Sequence, residues 1–151
     1  MNLESLYNIA EIQVTYKPNT QKAERHKVTV SHAAYEVLKL AFADDLEFFE
    51  SFKILLLNNA NEVLGISTIS KGGITGTIVD IRLILSRALA ANATSLILAH
   101  NHPSGNLKPS QADEKITAKI KKAAEYLDIK VLDHIIVTAE GFHSFADNGQ
   151  I

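Results

Sequence analysis

The stretch Leu96–Glu114 constrains this chain more than any other part of its sequence. An apolar run over residues 96–99 leads directly into His100 and His102, which have one residue between them. The run predicts a buried strand that ends at these histidines. Side chains two residues apart on a strand project to the same face, so the two imidazoles are expected to point at one place. They form a pair of candidate metal ligands.

A third candidate ligand follows at the start of a predicted helix. After two prolines and a glycine, Ser110 opens a helix whose first turn contains Asp113 and Glu114. The predicted apolar stripe of this helix is Ala112, Ile116, Ile120, Ala123 and Leu127. Asp113 lies roughly 60° from the centre of that stripe and Glu114 roughly 100° further toward solvent. We therefore take Asp113 as the ligand and Glu114 as a favourable charge at the helix N-terminus.

Two imidazoles and one carboxylate, with a fourth position left for water, are typical of a catalytic zinc site. The spacing also allows simpler interpretations. A lone histidine at a strand end is ordinarily a surface residue or a hydrogen-bonded core residue, and Ser110 with Asp113 fits a helix capping box. A capping role leaves the Ser110 hydroxyl able to face the site.

Composition limits the remaining choices. The chain has 151 residues, 46% of them hydrophobic, which fits one globular domain with a real core. It has no cysteine, so a metal would be held by nitrogen and oxygen atoms. The sequence shows no apolar run long enough for a membrane span and no N-terminal signal segment, so we expect a cytoplasmic protein without a membrane partner.

The charge balance gives little support to nucleic acid as a partner. Fifteen basic and seventeen acidic residues give a net charge of −2, whereas neutralising phosphates requires a basic excess or a basic run. Glu114 and Glu125 interrupt the nearest candidate run, which we interpret as a solvated helix face. That run comprises Lys115, Lys119, Lys121, Lys122 and Lys130.

The rest of the chain alternates between predicted strands and helices. We expect an N-terminal extension over residues 1–31, containing a strand at Ile12–Tyr16, and a domain over residues 32–151. Ser31 is expected to cap a helix that begins near His32. The further predicted elements are strands at 52–57 and 63–69, an extended stretch at 74–79, a helix through 81–89, and strands at 95–99, 131–138 and 142–145.

A metal-activated water needs a carboxylate that accepts its proton and later returns it to the leaving amine. Asp44, Asp45, Glu47 and Glu50 all precede the apolar strand that begins near Phe52. Glu50 is the closest of them to the apolar run. It should be the least solvated, with the raised pKa that suits proton shuttling.

The motif resembles the JAMM (MPN-type) metalloprotease-like domains, specifically their RadC-like branch. The family pattern is His-x-His, seven residues, Ser, two residues, Asp, and it is met by His100, His102, Ser110 and Asp113. The stretches 100–105 and 132–137 also look RadC-like, and the similarity covers about residues 47–149. The resemblance implies a three-layer α/β/α sandwich with a mixed sheet, of the cytidine-deaminase-like kind.

For the site, the resemblance implies one zinc ion per chain on His100, His102 and Asp113. It implies Glu50 as general acid and base, Ser110 as the donor to the oxyanion, and a peptide or isopeptide-linked protein as substrate. His134, in the second RadC-like stretch, is expected to support the site and not to bind the metal.

The alternative kind of enzyme is a metal-dependent deaminase or nuclease. A zinc deaminase normally uses a Pro-Cys-x-x-Cys pair, which a chain without cysteine cannot supply. Longer RadC-like proteins carry a DNA-associated helix-hairpin-helix region, which we do not expect here. The competing hypothesis is a non-catalytic zinc-containing interaction module or a DNA-repair accessory module. Neither the substrate nor the oligomeric state follows from the sequence.

Overall fold

A computed structural model describes residue 10, residues 12–19, residue 21, residues 24–72 and residues 78–151. Over this part of the chain, the elements in order are α1 (Ser31–Ala41), β1 (Ser51–Leu57), β2 (Val63–Lys71), α2 (Ile81–Ala90), β3 (Ser95–Asn101), α3 (Gln111–Glu125), β4 (Lys130–Val137) and β5 (Phe142–Ser144). The strands and helices predicted from residue 31 onward are present, with small shifts at their ends, apart from the extended stretch at 74–79, of which residues 74–77 lie outside the described residues. None of the described helices is both long enough and apolar enough to cross a bilayer.

The strands form one mixed sheet in the order β2-β1-β3-β4-β5. Strands β3 and β4 are parallel and are connected through α3, while the other neighbouring pairs are antiparallel. His100 pairs with Phe52 of β1 on one side and with Ile136 of β4 on the other. The first histidine therefore lies in the middle of the sheet, where neighbouring strands fix its backbone on both sides.

Helices cover both faces of the sheet and confirm the predicted three-layer α/β/α architecture. On β3, Leu96 and Leu98 pack with α2 and α3, whereas Ile97 and Ala99 pack with α1. This alternation is the two-residue period of a strand that is buried on both sides. By the same alternation, His100 falls on the face covered by α3.

The predicted strand at Ile12–Tyr16 is absent from the described residues of that stretch, and Glu11 lies outside them. Ile12 is 87% exposed and Val14 is 70% exposed, so the alternating pattern has no sheet face to bury. Tyr16 alone is held, because its hydroxyl donates to the carbonyl oxygen of Leu64 on β2. A single anchored side chain does not supply the ladder of hydrogen bonds that a strand needs.

Two helix details also differ from the prediction. Ser31 is the first residue of α1 and not its cap, since its hydroxyl donates to Asp147 of the C-terminal turn at 2.5 Å. Ile120 on α3 is buried as predicted, but Leu127, which the prediction placed on the same apolar stripe, lies beyond the end of α3 and is 41% exposed. The buried positions of α3 are Thr117, Ile120 and Ala124. The core therefore contains a polar side chain on the helix face that meets the sheet.

Asn101 on the opposite face of β3 ties the entrance of β1 to the sheet. It is fully buried, and its side-chain amide donates to the carbonyl oxygens of Asp45, Leu46 and Phe49. Its side-chain oxygen accepts from the backbone N–H of Ser51 at 2.8 Å. These bonds shape the turn from which Glu50 leads into β1.

We expect Asn101→Ala to lower the free energy of unfolding by about 2–4 kcal/mol, because three carbonyl oxygens and one N–H each lose a hydrogen bond to this buried side chain. Urea unfolding followed by circular dichroism measures this change. Asn59→Ala, at an exposed turn position, is the matched control and should change stability by less than about 0.5 kcal/mol. Equal effects of the two substitutions would contradict the anchoring role.

Candidate metal centre

The two histidines of the motif meet at the carboxyl end of β3. His100 is 1% exposed, and His102 follows the strand with its backbone N–H donating to the carbonyl oxygen of Val137 on β4. Their Nε2 atoms lie 2.9 Å apart. The predicted convergence of the two imidazoles is therefore present in the structure.

The loop after His102 returns the chain toward these imidazoles. Gly105 adopts φ +80°, a left-handed conformation that favours glycine, and its N–H donates to the carbonyl oxygen of His102. Further along, the carbonyl oxygen of Asn106 accepts a hydrogen bond from His102 Nδ1 at 2.5 Å. This bond places the proton on Nδ1 and leaves Nε2 with a lone pair for a metal.

The third candidate ligand, the carboxylate of Asp113, lies in the first turn of α3. The backbone N–H of Ser110 donates to Asp113 Oδ2 at 2.7 Å, and the N–H of Asp113 donates to Ser110 Oγ at 3.1 Å. This reciprocal pair is the capping box that the sequence allowed as an alternative. The same geometry puts Asp113 Oδ1 3.3 Å from His100 Nε2 and Oδ2 3.7 Å from His102 Nε2. Capping and metal binding are thus compatible roles for Asp113.

The spacing of these three groups fits a small divalent ion. A tetrahedral zinc at about 2.0–2.1 Å from each ligand would separate the ligand atoms by roughly 3.3–3.4 Å. The separations of 2.9, 3.3 and 3.7 Å lie around that value. Within the described part of the chain, His100, His102 and Asp113 form the group of metal-ligating side chains that could hold an ion.

Electrostatics keeps the carboxylate ionised. Burial by itself would raise the pKa of Asp113, but the adjacent imidazoles of His100 and His102 outweigh burial and hold that pKa far below its usual range. In return, the Asp113 carboxylate raises the pKa of His102 above its ordinary value, with a smaller contribution from Glu50. Asp113 therefore offers an ionised carboxylate, the form in which it can bind a cation.

The candidate ligands line a cavity of about 610 Å³, and Glu50 lines the same cavity. Its lining residues are Glu50, Phe52, Ile78, Val79, His100, His102, Ser110, Ala112, Asp113 and Ile116. Glu50 is half-buried, and its carbonyl oxygen accepts from the N–H of Gly72, just after β2. The structure thus brings the predicted acid/base residue, both histidines, Ser110 and Asp113 to one cavity.

The other acidic residues considered before β1 are less suited to the site. The expectation that Glu50 would be the least solvated of them is wrong, because Asp45 is buried and Glu50 only half-buried. Asp45 is buried in ion pairs with Lys71 at 3.0 Å and Lys53 at 3.8 Å, which occupy its carboxylate. Asp44 and Glu47 are exposed and do not line the cavity. Among the four carboxylates, Glu50 is the one that lines the cavity.

His134 supports His100 from behind, as expected. It is fully buried on β4, and its Nε2 lies 2.7 Å from His100 Nδ1. Burial lowers the pKa of His134 well below its ordinary value, so the imidazole is neutral. The sequence analysis did not identify Thr117, whose hydroxyl oxygen lies 2.6 Å from His134 Nδ1. Its only sequence signal is its position one helical turn after Asp113.

The fold and the site together define a class of protein, a three-layer α/β domain with a His-His-Asp cluster that could hold a metal ion where a central strand meets a helix. Within that class, the profile of the RadC-like JAB domain family matches residues 28–150. The chain belongs to this family.

Curated relatives agree with this assignment. A UPF0758 protein of Flavobacterium johnsoniae is 50% identical over 123 residues, which cover 82% of this chain and 53% of that protein. The UPF0758 protein YfjY of Escherichia coli is 45% identical over 121 residues, covering 80% of this chain and 74% of that protein. The chain spans about half the length of several relatives, including a Nitrosococcus oceani protein of which it covers 45%. The names of these relatives give a family designation and no reaction.

Proposed function

We propose that this domain is a zinc-dependent hydrolase that cleaves peptide or isopeptide bonds in protein substrates. The observation that carries the proposal is the convergence of three ligand atoms with Glu50 and Ser110 in one open cavity. A structural zinc site is ordinarily closed by four protein ligands. Here the described residues supply three, and the cavity leaves room for water and substrate.

The ligand chemistry favours zinc. Two imidazole nitrogens and one carboxylate oxygen suit this ion, and without cysteine the chain has no thiolate to select softer metals. When bound by His100, His102 and Asp113, zinc would supply Lewis acidity and lower the pKa of a coordinated water. Both histidines use Nδ1 for hydrogen bonds within the protein, which leaves Nε2 of each as the atom that would bind an ion.

Glu50 and Ser110 supply the remaining groups for amide hydrolysis. The Glu50 carboxylate accepts a proton from the attacking water and returns it to the leaving amine. Ser110 Oγ already accepts from the N–H of Asp113, so its single hydroxyl proton is left to donate. That donor stabilises the negative charge that develops on the carbonyl oxygen of the substrate.

The proposal predicts zinc-dependent cleavage. Purified protein should contain about one zinc per chain, and it should hydrolyse peptide or isopeptide-linked protein conjugates. Chelation should abolish the hydrolysis, and one equivalent of zinc should restore it, because the ion activates the water. Metal analysis and a gel-based cleavage assay measure the two properties.

Each other outcome has a defined meaning. Zinc binding without cleavage of any peptide or isopeptide bond would overturn the hydrolase and favour a non-catalytic zinc-containing interaction or DNA-associated module. Absence of zinc binding at micromolar concentration would overturn the metal site itself. Because the net charge is −2, we do not expect this domain to show salt-dependent DNA binding.

A further inference from the structure

A chain of hydrogen bonds behind the candidate ligands closes on itself. His100 Nδ1 lies 2.7 Å from His134 Nε2, and His134 Nδ1 lies 2.6 Å from Thr117 Oγ1. The Thr117 hydroxyl also lies 2.6 Å from the carbonyl oxygen of Asp113, one helical turn earlier on α3. The chain therefore starts at one candidate ligand, His100, and ends on the backbone of another, Asp113.

The positions of the protons in this chain follow from elementary donor and acceptor rules. The Asp113 carbonyl oxygen can only accept, so the single hydroxyl proton of Thr117 must point to it. Thr117 Oγ1 must then accept from Nδ1–H of His134. A neutral His134 with its proton on Nδ1 can only accept at Nε2, so His100 must donate from Nδ1.

The surroundings favour the neutral form of His134. Its side chain is completely buried. Its ring stacks on that of Phe145, with 4.7 Å between the ring centroids, and meets the ring of Phe52 edge-on, with 5.5 Å between the centroids. An imidazolium enclosed by these rings, with no carboxylate among its hydrogen-bond partners in the described structure, would be a costly buried charge. The two rings also restrict rotation of the imidazole.

We propose that His134 and Thr117 are positioning residues that hold His100 in the Nδ1–H tautomer. In this tautomer the lone pair on Nε2 of His100 faces Asp113 and His102, which is the state that a metal ligand needs. Thr117 thereby links the orientation of the imidazole to the helix that carries the carboxylate. The consequence for zinc affinity rests on the proposed function, whereas the tautomer itself does not.

The first test measures the tautomers directly in the metal-free chain. Long-range ¹H–¹⁵N correlation spectra, recorded at about pH 8.5 where most imidazoles are neutral, should show both His100 and His134 protonated on Nδ1. In Thr117→Val the acceptor for His134 Nδ1–H is lost. His134 should then carry its proton on Nε2 and donate to His100 Nδ1, which moves the His100 proton to Nε2.

Two variants separate this effect from loss of packing. Thr117→Ser keeps the hydroxyl and should keep both Nδ1–H tautomers. Ile120→Val removes one methylene from the same buried face of α3 and has no polar link to the site, so it should also leave the tautomers unchanged. An Nε2–H tautomer of His100 in the parent, or unchanged tautomers in Thr117→Val, would overturn the proposal.

The second test measures zinc affinity by competition with a chromophoric chelator. Thr117→Val should bind zinc about tenfold to a hundredfold more weakly than the parent, the range typical for loss of an outer hydrogen-bond partner. Thr117→Ser should restore most of that affinity, and Ile120→Val should match the parent. Affinity that follows thermal stability across the three variants, with no advantage for Thr117→Ser, would contradict positioning.

The two tests fail in different ways. A parent chain that binds no zinc would overturn the proposed function, while the spectra of the metal-free chain would still decide the tautomer of His100. Normal zinc binding with an Nε2–H tautomer of His100 in the metal-free parent would overturn the positioning role and leave the proposed function intact.

Discussion

Zinc affinity is expected to fall by more than about 100-fold when Asp113 is replaced by asparagine, a loss beyond that of an outer-shell partner. The change removes the negative charge that offsets a divalent cation between His100 and His102. Asparagine still has a side-chain oxygen that can accept from the N–H of Ser110, so the beginning of α3 should persist. The substitution therefore tests the ligand role separately from the capping role.

Glu114→Gln is the matched control, because it removes a carboxylate from the adjacent position of the same helix turn. Glu114 is exposed and has a 3.5 Å hydrogen bond with Gln150. It should leave zinc affinity nearly unchanged. Chelator competition gives the affinities, and thermal unfolding of the metal-free variants shows whether α3 is intact. Parent-like zinc affinity in Asp113→Asn would mean that Asp113 only caps the helix.

The second large effect is expected on catalysis and not on metal binding. Glu50→Gln should lower kcat by about 10²–10⁴-fold, the usual contribution of a positioned general acid or base. Glutamine is nearly isosteric but cannot take a proton from the attacking water. Zinc content should stay that of the parent, because Glu50 lines the cavity and is not a member of the ligand cluster.

Two comparisons make this result interpretable. Glu47→Gln changes an exposed carboxylate three residues earlier and should leave hydrolysis unchanged. His100→Ala should abolish both zinc binding and hydrolysis, because it removes a ligand. Initial rates in the cleavage assay, with zinc content measured on the same samples, provide the data. Full activity of Glu50→Gln beside an inactive His100→Ala would assign the general base to another group.

Local patterns were sufficient where the chemistry depends on positions close in the chain. The one-residue spacing of His100 and His102 at the end of an apolar run predicted that their side chains converge, because strand side chains alternate. The capping signature of Ser110 and Asp113 predicted the start of α3 and therefore where the carboxylate lies. Glu50 was predicted in the same way, from its place beside the apolar run of β1, and the structure places it in the cavity beside the candidate ligands.

Local patterns failed where a partner distant in the chain decides the outcome. The alternation at Ile12–Tyr16 is strand-like, but in the described residues no neighbouring strand pairs with it. Ser31 is of a residue type that commonly caps helices, but its hydroxyl donates to Asp147, 116 residues later. In both cases the outcome depends on whether the folded chain provides a hydrogen-bond partner, and on where that partner lies.

The sequence by itself determined the α/β class, the order of the elements from residue 31 onward, and the candidate ligands His100, His102 and Asp113, because these depend on periodicity and short spacings. Only the tertiary structure showed that Asn101 anchors the turn before β1 and that Thr117 joins His134 behind the site. These polar side chains look ordinary in sequence. Their roles arise because neighbouring strands and a crossover helix bring donors and acceptors from distant segments into a buried space, where each must find a partner.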